Sequence, residues 1–188
     1  MTADRMNTIL TRLMIVNHIN SSVLLPVNVN FREIIDEIFA FERKKGLPPR
    51  FLITSEIEPD CSIVSDAALV RIILENLIDN AIKFYNTSDR LNPFVKVKLT
   101  KQSSFVKVSV EDNGIGMNKE TQKRIFEKFY RAHTGNVHNV KGFGLGLSYV
   151  KTMIDAHGGK IKVESATGKG TTFIIDMPLA EKKHISDR

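Results

Sequence analysis

Asn76-Leu77-Ile78-Asp79-Asn80-Ala81-Ile82-Lys83 reads as two turns of a helix that carries two carboxamides and an amine on one face. At 3.6 residues per turn, offsets of four and seven bring Asn76, Asn80 and Lys83 together. Asn is a poor helix former, so two of them a turn apart among strong apolar positions call for a chemical reason. A carboxamide oxygen is a hard ligand suited to Mg²⁺, and an ammonium suits phosphate oxygens. Taken alone, the stretch is equally well read as helix-surface polarity.

Working outward, the helix runs from 67 to about 85. Ser65 or Asp66 supplies an N-cap, and Leu69, Ile72, Ile73, Leu77, Ala81 and Ile82 form the buried side. Upstream, 51–57 alternates as a strand and 61–64 is a shorter one. Asn30 with Glu33 resembles a capping box that opens a helix through Ile34, Ile35, Ile38, Phe39 and Phe41, closed by Gly46 before Pro48-Pro49. Further back, residues 4 to 20 have helical spacing, and Pro26 follows. Downstream, 94–101 and 105–111 alternate around Gln102-Ser103-Ser104, an antiparallel hairpin. Residues 113–143 form a long polar connection with a helical patch near 118–126; such a connection inside a domain usually serves function. A helix at 145–157, stopped by Gly158-Gly159, precedes strands 160–165 and 171–177 and a charged, frayed tail after Pro178. Helices and strands mix without strict alternation. The expected fold is an α/β two-layer sandwich, a mixed and mostly antiparallel sheet with helices on one face.

The 188 residues suffice for one buried domain with a short extension, and 42% apolar with 26% charged residues excludes a disordered chain. The net charge of +6 is scattered along the chain, which points to a solvated basic surface and away from nucleic acid. Cys61, the single cysteine, reads as a small buried hydrophobe in a reducing compartment. No apolar run approaches the ~20 residues of a membrane span, and the start lacks an apolar signal core. The reading is a cytoplasmic domain, with a larger, membrane-anchored protein left open as its source.

Two further blocks are turns where backbone must come close to a ligand. Asp112-Asn113-Gly114-Ile115-Gly116 ends a strand, and a carboxylate there can accept a hydrogen bond from the exocyclic amine of adenine while the glycines sit against a flat base. Plain loop chemistry accounts for it equally when it is taken alone. Gly142-Phe143-Gly144-Leu145-Gly146-Leu147 leads into a helix, whose first amides bind phosphate well. Phe126-Glu127-Lys128-Phe129-Tyr130-Arg131 reads as a small satellite core, or as an anchor for a lid with Arg131 turned to phosphate. Together the blocks point to a nucleoside-triphosphate site.

In order and spacing, these blocks resemble those of bacterial sensor histidine kinases. Asn76 to Lys83 resembles the N box, Asp112 to Gly116 the first glycine box, Phe126 to Arg131 the F box and Gly142 to Leu147 the second glycine box. His157-Gly158-Gly159 with Gly168 to Phe173 resembles the closing hairpin. The similarity spans residues 28 to 178. It implies the Bergerat fold, with ATP and Mg²⁺ bound. It further implies that Asn80 ligates the metal, Lys83 contacts phosphate and Asn76 helps to order both. Asp112 would recognise adenine, and Gly114 and Gly116 would shape the base pocket. Gly142, Gly144, Leu145 and Gly146 would bring lid backbone to the phosphates, and Arg131 would reach the γ-phosphate.

Hydrolysing members of that superfamily carry a Glu four residues before the metal-binding Asn. Here that position is Asn76, and Glu75 lies about 100° further round the helix. A carboxamide takes no proton from water at neutral pH, so the expected chemistry is phosphoryl transfer to another side chain. None of the five histidines is followed by Glu or Asp: His18, His133, His138, His157 and His184 all lack the usual phosphoacceptor context. The expected organisation is therefore 1–25 as the end of a dimerisation helix and linker, 26–180 as the catalytic domain, and 181–188 as a tail. The phosphoacceptor helices would lie elsewhere in a longer homodimer, with a response-regulator receiver domain as the indirect partner. A stand-alone anti-sigma-type serine kinase or a non-catalytic nucleotide-binding module is the alternative.

Overall fold

The computed structural model describes residues 27–86, 92–132 and 144–179. The helix expected at 4–20, the tail at 181–188, Gly142 and the histidines at 18, 133, 138 and 184 lie outside the described residues.

The two longest helices start where a side chain accepts their first free amides. Asn30 takes the Glu33 amide at 3.3 Å, and α1 (Phe31–Lys45) follows. Asp66, rather than Ser65, caps α2 (Ala67–Lys83), its Oδ1 accepting from Ala68 N at 2.9 Å and Leu69 N at 3.2 Å. A shorter helix, α3 (Lys119–Arg124), is capped by Asn118. The last helix is α4 (Gly146–Ala156).

Strands β1 (Val27–Asn30), β2 (Leu52–Ile57), β3 (Ser62–Ser65), β4 (Phe94–Lys101), β5 (Phe105–Asp112), β6 (Lys160–Ala166) and β7 (Gly170–Pro178) complete the fold. Five of them form one sheet in the order β2-β4-β5-β7-β6, with β2–β4 parallel and the other pairs antiparallel. This is the mixed, mostly antiparallel sheet expected. One face is apolar: Val95, Val97 and Leu99, Val106, Val108 and Val110, then Phe173, Ile175 and Met177 are all buried. They pack with Leu69, Ile73 and Leu77 of α2 and Val150, Met153 and Ile154 of α4 in a single core. The opposite face carries Lys96, Lys98, Lys107 and Ser109, as period-two alternation requires.

Val27–Asn30, for which no strand was expected, forms one. It pairs antiparallel with β3 in a separate two-stranded sheet, where Val29 faces Ile63 and both are buried. For the site, the rotation of α2 matters most. Burial of Leu77, Ile78 and Ala81 fixes that rotation and leaves Asn76 and Asn80 half-buried at the rim of the core, with Lys83 exposed beyond them.

Candidate nucleotide site

Asp112 is the last residue of β5, and its register places it between Val95 of β4 and Thr171 of β7. Its Oδ1 accepts the Gly114 amide at 2.8 Å and the Thr171 amide at 3.2 Å. Among the described residues no hydrogen bond falls on Oδ2. Burial pushes the carboxyl up to about 6; the two amide bonds oppose the shift and the nearby Glu111 charge adds to it. A half-buried carboxylate of this kind, with an acceptor oxygen to spare, suits an N–H donor such as the adenine amino group.

The turn after Asp112 is held from three sides. The Ile115 amide bonds the Phe84 carbonyl at 3.0 Å, so the end of α2 meets the turn directly. Asn113 looks back to the sheet, accepting from Phe94 N at 2.8 Å and donating to Asn92 O at 3.0 Å. Gly116 has φ +64, and a Cβ there would lie 1.9 Å from the Ala166 carbonyl oxygen, so only glycine fits. Ser165 braces the far side: its hydroxyl accepts from Met117 N at 2.8 Å and donates to Gly170 O at 2.7 Å. Gln122 joins the same network, with its amide nitrogen on Met117 O and Ser165 O. Sequence reasoning placed Thr171 in the closing hairpin without a site role and did not single out Ser165 or Gln122, because their partners lie far away in the chain.

The other end of the site is built differently. Asn76 donates from Nδ2 to Ile72 O at 2.8 Å, and a Cβ on Gly146 would sit 3.0 Å from Asn76 Oδ1. The first residue of α4 is thus packed directly on the first carboxamide of the N-box-like block. The residue capping α4 is Leu145, whose side chain makes no cap hydrogen bond. Leucine has no acceptor, so the first amides of an 11-residue helix lack the usual side-chain partner, an arrangement suited to phosphate oxygens. Gly144 accepts the Phe129 amide at 2.9 Å, which ties the start of α4 to the aromatic block. Phe129 is itself unusual, a bulky residue at φ +65 that is 72% exposed. Tyr130 is covered by the Arg124 guanidinium, 4.4 Å from the ring centre, and Arg131 just beyond is exposed.

Lys83, expected at phosphate, donates in this structure to Asp79 one turn back on the same helix. Glu75 lies about 100° round α2 from Asn76, partly exposed and 3.9 Å from Arg71. Its carboxyl is pushed up by burial, with Arg71 opposing and Glu42 and Asp79 adding to the rise. Among the described residues no group of three or more His, Cys, Asp or Glu is placed to hold a metal. A site of that kind is not what Mg²⁺ needs, since it takes one or two protein oxygens and draws the rest from phosphates and water. Asn80 fits that demand.

A family model described as the histidine kinase-, DNA gyrase B- and HSP90-like ATPases matches residues 65–181. The sensor protein RprX of Bacteroides fragilis is 44% identical over 128 residues, which is 68% of this chain and 24% of RprX. The nucleotide-free catalytic domain of histidine kinase ThkA superposes with a TM-score of 0.67 at 29% identity, covering 81% of this chain and 96% of that domain. ThkA in complex with the response regulator protein TrrA superposes at 0.70, with 23% identity, 96% of this chain and 50% of that one. The chain spans about a quarter of the length of RprX. With its open-faced sheet, carboxylate-ended β5 and glycine-led α4, the chain belongs to the histidine kinase-, DNA gyrase B- and HSP90-like ATPase family, and its relatives within it are the catalytic domains of sensor histidine kinases.

Proposed function

We propose that the chain holds Mg-ATP for transfer of the γ-phosphoryl group to a histidine on a dimerisation domain of the same longer protein. The observation that carries this reading is the contact between Asn76 and Gly146. The side chain beside the phosphate-binding helix start is a carboxamide, which takes no proton from water. The adjacent glutamate, Glu75, lies about 100° further round α2, 3.9 Å from Arg71.

In this reading Asp112 takes the adenine amino group, with Gly114 and Gly116 shaping the base pocket. Asn80 holds the metal and Asn76 helps to order it. Lys83, Arg131 and the backbone of Gly142, Gly144, Leu145 and Gly146 meet the phosphates. Mg²⁺, when bound, offsets charge that develops on the phosphoryl oxygens. An imidazole nitrogen of the acceptor attacks the γ-phosphorus in line, the bond to the bridging oxygen breaks, and ADP leaves. The residues of this chain chiefly position the groups, so docking on the acceptor helix governs the rate.

Residues 1–25 are assigned to the end of a dimerisation helix and linker, 26–180 to the catalytic domain, and 181–188 to a tail. The acceptor hairpin belongs to a homodimer, cytoplasmic at this domain. A response-regulator receiver domain is the next acceptor, a partner suggested by the TrrA complex of ThkA. Calorimetric titration with ATP, with and without Mg²⁺, tests the first step. Binding is expected, and Asn80→Ala is expected to weaken its magnesium-dependent part about tenfold. No binding at millimolar nucleotide would sink the reading. Added to a helical hairpin bearing a His-Glu pair, the chain should yield acid-labile phosphohistidine. Rapid release of phosphate without the hairpin would assign it to the hydrolysing branch instead.

A further inference from the structure

Lys83 has two possible partners on α2. At 100° per residue it lies about 40° round the helix from Asp79 and about 60° from Asn80, between the two. In this structure its amine goes to Asp79 Oδ2. That carboxylate has a second amine nearby: Lys45 Nζ, at the end of α1, stands 3.9 Å from Asp79 Oδ1 while donating to Glu42 Oε1 at 2.9 Å. The Asp79 side chain is only 28% exposed, less than either lysine at 43% and 49%. Glu42, at 7% exposure, holds Lys45 in place from the inner side.

We infer that Asp79 is a positioning residue that parks the Lys83 amine away from the phosphates, and that Lys45 takes over the Asp79 carboxylate when Lys83 leaves it for nucleotide. The inference rests on the proposed function for the destination of Lys83. A half-buried carboxylate one turn from a triphosphate is repelled by it unless a cation stays with it. Lys45, already within 4 Å, is placed to supply that cation without any movement of α1. The exchange makes phosphate compete with Asp79 for one amine, so the pair lowers nucleotide affinity by the strength of a part-exposed ion pair.

Two measurements test it. In the first, lysines are reductively methylated with ¹³C and the Lys83 methyl resonance is followed without nucleotide. Asp79→Asn should move it to the position of a free lysine, and an unmoved resonance overturns the parking contact whether or not ATP binds. The second is an ATP affinity cycle over Asp79→Asn and Lys83→Met at low salt. Asp79→Asn should tighten ATP about two- to fivefold when Lys83 is present and leave adenosine affinity unchanged. In the Lys83→Met background the gain should vanish. Lys45→Gln should weaken ATP in the Lys83 chain alone, since Asp79 then keeps its hold. Equal tightening by Asp79→Asn in both backgrounds would reduce Asp79 to a bulk negative charge and overturn the inference, as would weaker ATP binding in Asp79→Asn.

Discussion

The two ends of the site are made of different material. At the base end nearly every polar contact involves backbone: amides of Gly114 and Thr171 on Asp112, the Ile115 amide on Phe84 O, and Ser165 and Gln122 on main-chain groups. At the phosphate end the charged groups are long side chains bound to one another, Lys83 to Asp79 and Lys45 to Glu42, beside a helix start with no capping side chain. The lesson is that the Asp112 end is built into the sheet, whereas the Lys83 end is held by side-chain pairs that can exchange.

The sharpest way to break this contrast is Gly116→Ala. A methyl group 1.9 Å from Ala166 O, on a residue at φ +64, cannot be absorbed by a side-chain rotation. A loss of about 3 kcal/mol or more of stability is expected in urea unfolding, together with loss of ATP binding. A variant as stable as the parent would mean that the base end is softer than its backbone contacts imply.

Asp112→Asn should separate stability from binding. The Asp112 carboxyl, raised from 3.8 to about 6, binds more protons in the folded chain than in the unfolded one between those values. Its contribution to stability is therefore complete below about pH 4 and is lost as pH rises through about 6. Removing that buried charge should stabilise the nucleotide-free chain at pH 8 by about 1–3 kcal/mol. The same change should weaken ATP about 10- to 100-fold there, because a charge-assisted acceptor is lost. Below pH 6 the parent's affinity should fall towards that of the variant. Titration calorimetry across pH 5–8 on both chains reads this, and parallel pH profiles would remove Asp112 from base recognition.

The smallest effect concerns the seam between the ends. Phe129→Gly relieves a left-handed backbone at an exposed side chain and should raise stability by about 0.5–1 kcal/mol. A destabilised variant would show that the Phe129 ring packs against something in the folded chain.

How much of this the sequence carried depends on how local each signal was. The Asn76–Lys83 face and the Asp112 turn are written in short runs whose spacing matches a helix or a strand end, so their placement was legible. Val27–Asn30 is only four residues long, and the capping signal at Asn30 spoke more loudly than its alternation. Its pairing with β3 depends on a contact that no local pattern encodes. Thr171 is tied to Asp112 across 59 positions, beyond any periodicity. The Asp79–Lys83 pair, by contrast, has the ordinary four-residue spacing of a helical ion pair. It was open to view, but the metal and phosphate chemistry of its neighbours drew the reading away from it.

The two hydrogen bonds that one Asp112 oxygen accepts, from Gly114 and Thr171, bear on how the molecule comes apart. The Thr171 amide lies where β7 pairs with the end of β5, the central strand of the five, and the Gly114 amide sits in the turn two residues past that end. The Thr171 amide exchanges with solvent when the end of β5 parts from β7, and the Gly114 amide when the turn lets go of Asp112. Deuterium uptake at these two positions should therefore rise together, because a single carboxylate oxygen holds both amides. Opening of the β5–β7 end would thus free the carboxylate, the turn and the start of β7 in one step.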